Sequence, residues 1–225
     1  MLIQMAIPVQ GGLKQERKVE VLSNHLANAE TAGFKKDILS FDYLLKTNLT
    51  IDYSQGDIKL TGNNFDLALT GKGFFKVETP NGIRYTRDGN FILNKEGMLV
   101  NNSGYPVLGE GGPITITEGT SVNVNAAGQI QVDGNIIGKV SVVNFEDLTK
   151  LKKEKGSMFV NSSDEREIPS DASVNQGALE MPNTNMVTEM TNMIASHRFY
   201  ESYQKMLQTL DETDSKAIND VGKLG

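Results

Sequence analysis

Few side chains of this 225-residue chain have the types and spacing that chemistry requires. Its two histidines, His25 and His197, stand far apart, so a metal centre at either would have to be completed by carboxylates. No H-E-x-x-H pattern exists, and both histidines are expected at an interface or partly exposed. Paired carboxylates can act as acid and base on a glycosidic bond. Asp66, Asp88 and Asp133, however, fall among turn residues, where Asp is favoured for backbone reasons alone. Gly71-Lys72-Gly73 lacks the full spacing of a phosphate loop and has no helix behind it. Asp88-Gly89-Asn90 opens like a calcium loop, yet Ile92 and Leu99 stand where further oxygen ligands belong. Lys150, Lys152, Lys153 and Lys155, interrupted by Glu154, read as a solvated loop. The absence of cysteine removes disulfides, thiol nucleophiles and thiolate metal sites. The expectation is therefore no catalytic residue, no metal, no cofactor, no small-molecule substrate and no enzyme.

The elements that would carry these residues differ along the chain. Residues 1 to about 30 place Met5, Val9, Gly12, Val19, Leu22, Leu26 and Ala29 near helical spacing, as one narrow apolar stripe. Pro8 fits best in a first turn, where its missing N–H costs little, so the helix starts near residue 7 or is kinked there. Gly33 is the expected stop. At the other end, Asn183 or Asn185 can cap a helix that follows Pro182. Met186, Met190, Met193, His197, Tyr200, Gln204 and Leu207 form one apolar row of that helix. Phe199, Tyr203, Met206 and Leu210 form a second row beside it. A helix from 185 to about 219 would be roughly 50 Å long, and two adjacent rows ask for more than one neighbour. Between the ends, short alternating stretches are broken by Asn81-Gly82, Asp88-Gly89, Glu96-Gly97, Ser103-Gly104 and Asp133-Gly134, a many-stranded β texture.

The expected fold class is α+β, mainly β: a central many-stranded antiparallel β domain whose N- and C-terminal α-helices pair as a coiled-coil-like stalk. The expected divisions are an N-terminal helix at 1–33, an extended connector at 34–58, the β domain at 59–178, a connector at 179–184 and a C-terminal helix at 185–225. Net charge is −6, with 28 acidic against 22 basic residues, which argues against a general nucleic-acid binder. No apolar run reaches ~18 residues, so no membrane insertion is expected. The opening MLIQMAIPVQGG lacks the charged start and long apolar stretch of a cleavable signal.

Leu22-Ser23-Asn24-His25-Leu26-Ala27-Asn28, followed by Thr31-Ala32-Gly33-Phe34-Lys35, resembles the N-terminal signature of flagellar rod and hook proteins, with His25 where a second Asn is usual. Three further stretches match in the family's order. They are Thr61–Ala68 with Gly71–Phe75, then Tyr85–Phe91 with Gly104–Leu108, and finally Gln176–Glu180 with Asn183–Asn185 and the helix body through Arg198-Phe199-Tyr200-Glu201. The tail Asp211–Gly222 leans toward the proximal-rod members, with the distal-rod type as the alternative. The resemblance implies a structural subunit whose terminal helices assemble, with copies of itself and other rod proteins, into a hollow axial tube that transmits torque. It implies passage through the flagellar type III export apparatus without signal cleavage, a place in the rod across the periplasm, and terminal segments that order on assembly. The assembly interface is expected at Val19, Leu22, Asn24, Leu26, Asn28, Gly33, Phe34, Met186, Met190, Met193, Ile194, His197, Phe199, Tyr200, Tyr203, Met206, Leu207 and Leu210. The competing classes are a β-domain carbohydrate-active enzyme, which needs carboxylates converging in a cleft, and a surface adhesion module, which normally carries a secretion signal.

Overall fold

A computed structural model describes residues 2–41, 47–116, 121–154, 157–163 and 165–222, with the backbone alone for 2–7, 217 and 220–222. Lys155 of the lysine run, and the side chain of Met5, lie outside the described residues. The chain divides into two compact units. One comprises residues 1–29, 37–50 and 184–225; the other comprises 30–36 and 51–183.

The first unit is built on two helices, α1 (Leu2–Ala27) and α2 (Met186–Gly222). Pro8 sits inside α1 rather than at its start, so it withholds one hydrogen bond from the second turn of the helix; its ring is buried. α1 stops before Gly33, in a turn where the Asn28 N–H bonds the His25 carbonyl. Asn185 is the cap of α2, its Oδ1 accepting the Thr188 N–H at 3.0 Å. Strands Asp37–Phe41 and Thr47–Ile51 pair as a two-stranded ribbon, and the Lys14 ammonium lies 5.1 Å over the Phe41 ring.

The second unit is antiparallel β throughout its named pairings. Its largest sheet has six strands in the order Leu151–Lys153, Met158–Asn161, Gly82–Thr86, Phe74–Thr79, Val142–Phe145, Glu167–Pro169. A three-stranded sheet runs Val122–Val124, Gln129–Val132, Asn135–Lys139. Two ribbons, Ser173–Gln176 with Leu67–Thr70 and Ala178–Glu180 with Ile58–Leu60, bring late segments back onto early ones. Phe74 and Phe75 show why the large sheet is covered twice. Successive strand residues point to opposite faces, and both are buried. Phe75 joins Leu67, Val77, Phe91 and Ile130 on one face, while Phe74 joins Tyr85, Phe145 and Phe159 on the other.

The hairpin expected at Asn81-Gly82 turns one residue earlier. Thr79 pairs with Gly82, so the loop residues are Pro80 and Asn81, and Pro80 supplies the fixed φ that starts the turn. Asp133-Gly134 does take two positive φ values, 47° and 87°, the geometry of a two-residue primed turn. The stretches read as connectors hold more structure than their mixed composition signalled. The ribbon of Ala178–Glu180 with Ile58–Leu60 draws on both of them, and the β-rich unit takes in 30–36 and 51–183.

Asp88, at the turn after Gly82–Thr86, accepts the Asn90 N–H at 3.0 Å. Burial, with the Asp66 charge nearby, pushes its carboxyl up to about 6. A folded-state value above the unfolded one means that ionising Asp88 costs stability: its contribution is greatest below pH ~4 and is lost as pH rises through 6. Asp88→Asn is therefore expected to stabilise the chain at pH 7.5 by ~1–3 kcal/mol, and urea titrations should show that gain shrinking toward pH 4.5.

Candidate assembly interface

Within the helical unit, α1 and α2 lie against each other. They run antiparallel, since His25 meets Glu189 near one end of the contact and Gly11 meets Tyr203 toward the other. The residues turned inward alternate in steps of four and three: Pro8, Gly12, Gln15, Val19, Leu22 and Leu26 on α1, Glu189, Met193, Ser196, Tyr200, Tyr203, Leu207 and Leu210 on α2. That 3.5-residue spacing is a coiled-coil seam. Gly11 is small for a reason. A Cβ there would lie 2.9 Å from the Tyr203 hydroxyl and closer still to its ring, so the ring would have to swing away.

His25 lies at this helix–helix contact, the interface alternative of the expectation and not the partly exposed one. It is buried, its Nε2 accepts the Asp37 N–H at 2.9 Å, and its Nδ1 lies 3.3 Å from the Glu189 carboxylate. With Nε2 accepting, the proton of the neutral ring sits on Nδ1 and faces Glu189. One side chain thus ties the end of α1, the first turn of α2 and the start of the ribbon.

The structure redistributes the residues expected at the interface. Leu22, Gly33 and Phe34 are already buried within the chain, so they serve its own packing. Val19, Leu26, Met193, Tyr200, Tyr203, Leu207 and Leu210 are half-buried on the seam. Asn28 is half-buried, its Nδ2 donating to the carbonyl of exposed Asn24. Met186, Met190, Ile194, His197, Phe199 and Met206 are exposed. The seam therefore takes members from both apolar rows of α2. It leaves Met190, Ile194, Phe199 and Met206 between 50% and 57% exposed. Of these, Ile194 and Phe199 line a groove on the outer face together with Thr191, Ala195, Arg198 and Ser202. Val9, expected on the α1 stripe, also faces solvent.

A second arrangement lies within the β-rich unit and was not foreseen as a site. The Glu180 side chain is fully buried. Its Oε1 receives Lys35 Nζ at 2.5 Å and the Gly56 N–H at 3.0 Å; its Oε2 pairs with Arg87 Nε at 2.9 Å. Lys35 and Arg87 are 1% and 4% exposed. Lys35 also donates to the Ser54 carbonyl, and Arg87 to the carbonyls of Gly71 and Gly73. Burial pulls both cations below their ordinary ranges, against the attraction of Glu180. Backbone bonds reinforce the cluster: the Gly33 N–H donates to the Glu180 carbonyl at 2.8 Å, and the Lys36 N–H to Asn183 Oδ1 at 2.8 Å. Gly33 holds φ at +66°, and a side chain there would run into the backbone of Arg87 and Asp88. Lys153 closes this side, its ammonium 3.9 Å over the Phe34 ring. The only signal in the sequence was that Lys35, Arg87 and Glu180 each stand inside a matched motif.

Among the described residues, no group of three or more His, Cys, Asp or Glu side chains could hold a metal ion, and no helix is long and apolar enough to cross a membrane.

Residues 68–132 match the flagellar hook protein FlgE/F/G D1 domain. Residues 175–220 match the flagellar basal body rod FlgEFG protein C-terminal domain. The flagellar basal-body rod protein FlgF of Caulobacter vibrioides is 34% identical, over 92% of this chain and 93% of its own length. The rod protein FlgG of Bacillus subtilis is 29% identical over 97% of this chain and 99% of its own. FlgG of Buchnera aphidicola is 32% identical over 88% and 92%.

Removing one partner from a buried ion cluster leaves an uncompensated charge, at a cost of ~3–5 kcal/mol. Glu180→Gln strands two cations, whereas Lys35→Met leaves the Arg87–Glu180 pair intact. Urea denaturation is expected to rank Glu180→Gln as the more destabilising of the two.

Proposed function

The chain belongs to the flagellar basal-body rod protein family, and from that premise we propose that it is a proximal-rod subunit of the FlgF type, assembled through the outer face of its helical unit. The family relationship makes it a structural subunit of the rod, in contact with other rod and basal-body proteins. The finer reading covers the proximal position, contacts with copies of itself, a hollow torque-transmitting tube, and export across the inner membrane by the flagellar type III apparatus without signal cleavage. The FlgF type is favoured by the 34% identity to the Caulobacter protein over nearly the full length of both chains; the distal FlgG type is the alternative.

One observation carries the interface reading. The helices already satisfy each other along one seam, yet Met190, Ile194, Phe199 and Met206 remain half exposed on α2. An ordinary amphipathic helix pair would be polar there. Fully burying such side chains is worth roughly 1.5–3 kcal/mol each, a driving force available only to a neighbour. The methionines suit a contact repeated between slightly different neighbours, because their unbranched side chains adapt to irregular surfaces. Head-to-tail contacts that do not close into a ring propagate as a helix.

Phe199→Glu is expected to change the stability of the isolated chain by no more than ~0.5 kcal/mol, because the site is exposed, while abolishing motility and complete rods in cells that depend on this gene. Normal swimming with intact basal bodies would overturn the interface. Hydrogen exchange supplies an independent check: α2 amides should exchange faster than those of Phe74–Thr79 in the isolated chain and slow markedly in assembled rods.

A further inference from the structure

Beside the buried ion cluster lies a cavity of about 230 Å³ lined by Lys35, Arg87, Lys72, Tyr53, Phe74 and Asn144, among others. A water needs roughly 30 Å³, so the space suits several waters or one small organic molecule. Its charge leans positive, although the Asp52 carboxylate also attracts Lys35. Lys35 and Arg87 share the single carboxylate of Glu180, and Lys72 adds a third cation at the exposed rim.

The donors are not exhausted. An ammonium carries three N–H groups and a guanidinium five. Lys35 bonds Ser54 and Glu180, and Arg87 bonds Glu180, Gly71 and Gly73, which leaves N–H groups unspent on both. Asn144 Oδ1 is buried there without a hydrogen-bond partner. A half-turn of that amide keeps its shape and presents Nδ2–H instead. The other walls are apolar, chiefly Phe74, Leu148 and the Tyr53 ring. Cationic donors on one side and a short apolar wall on the other match a small carboxylate with one or two carbons behind it.

We infer that this cavity binds a small free carboxylate, held by Lys35 and Arg87, with Lys72 at its mouth and its apolar end against Phe74 and Leu148. The site is independent of the assembly face, and its failure would leave the rod assignment untouched.

The test is thermal unfolding of the full chain with sodium acetate replacing sodium chloride at constant ionic strength. A saturable rise in midpoint of roughly 2–4 °C is expected at the highest acetate concentration. Asn144→Asp places a carboxylate in the cavity permanently; it is expected to raise the midpoint in acetate-free buffer and to abolish the acetate response. Lys72→Gln, at an exposed position, is expected to keep the starting midpoint and weaken the acetate response several-fold. A wild-type midpoint that does not move when acetate replaces chloride overturns the inference, whether or not Asn144→Asp folds. So does an acetate response that survives unchanged in a folded Asn144→Asp protein.

Discussion

The β-rich unit depends on one carboxylate shared by two buried cations. Lys35 comes from the turn after α1, Arg87 from the segment following Gly82–Thr86, and Glu180 from the last ribbon. Desolvating each ion costs several kcal/mol, repaid only where the remaining donors and acceptors are filled. Here the carbonyls of Ser54, Gly71 and Gly73 and the Gly56 N–H supply much of that filling, with N–H groups of Lys35 and Arg87 left over. A well-packed apolar trio of similar size would hold the segments together at least as strongly. What it would not do is reject a slipped register: a ribbon shifted by one residue turns Glu180 to the opposite face and strands two cations. The cluster is therefore read as a device that sets which segments meet. Its consequence is that residues 33–36 and 180–183, where the chain enters and leaves this unit, are pinned side by side.

The helical unit follows a different logic. A seam spaced in fours and threes covers one side of each helix, and α2 is ~55 Å long at 1.5 Å per residue. Covering one side leaves most of its girth in solvent. On much of that girth the residues are polar, as a solvated helix requires; on one stretch they are Met190, Ile194, Phe199 and Met206. The β-rich unit has no comparable deficit inside, because both faces of its large sheet are closed by its own side chains. Its exposed apolar side chains, Leu60 and Ile136 the most open, stand on separate strands, whereas Met190, Ile194, Phe199 and Met206 share one helix.

How much of this was legible in the sequence follows from the range of the interaction that decides each feature. Helical periodicity and the Asn185 cap are local, and both helices and the cap could be read. Which side chains form the seam could not, because His197 and Gln204 keep the same four-and-three spacing, and only the position of α1 decides that Ser196 and Tyr203 turn inward in their place. Short polar strands such as Glu167–Pro169 carry no period of their own and exist only because a neighbour pairs with them. Pro80 outranked the Asn-Gly signal because its φ is fixed, whereas Asn merely tolerates a positive one. The ion cluster was least legible: Lys35, Arg87 and Glu180 are far apart in the chain, and nothing about a single charged residue marks it as buried. Whether His25 would be buried was hidden for the same reason, since Glu189 and the Asp37 amide reach it only after the helices pair.

A propagating head-to-tail contact needs two unlike patches on each subunit, because like patches would close into a dimer. On the reading proposed above, the helical unit carries both. One is the α2 face around Ile194 and Phe199. The others are the exposed Val9 and Leu13 of α1, and Ile38 and Leu49 of the ribbon. A two-stranded ribbon is marginal alone in water, and this one turns apolar side chains outward. The same helices that pair internally through α1 and α2 would then meet two different neighbours at once. That is why apolar side chains of α2 that the seam leaves uncovered, superfluous for a lone helix pair, make physical sense in a subunit of a continuous structure.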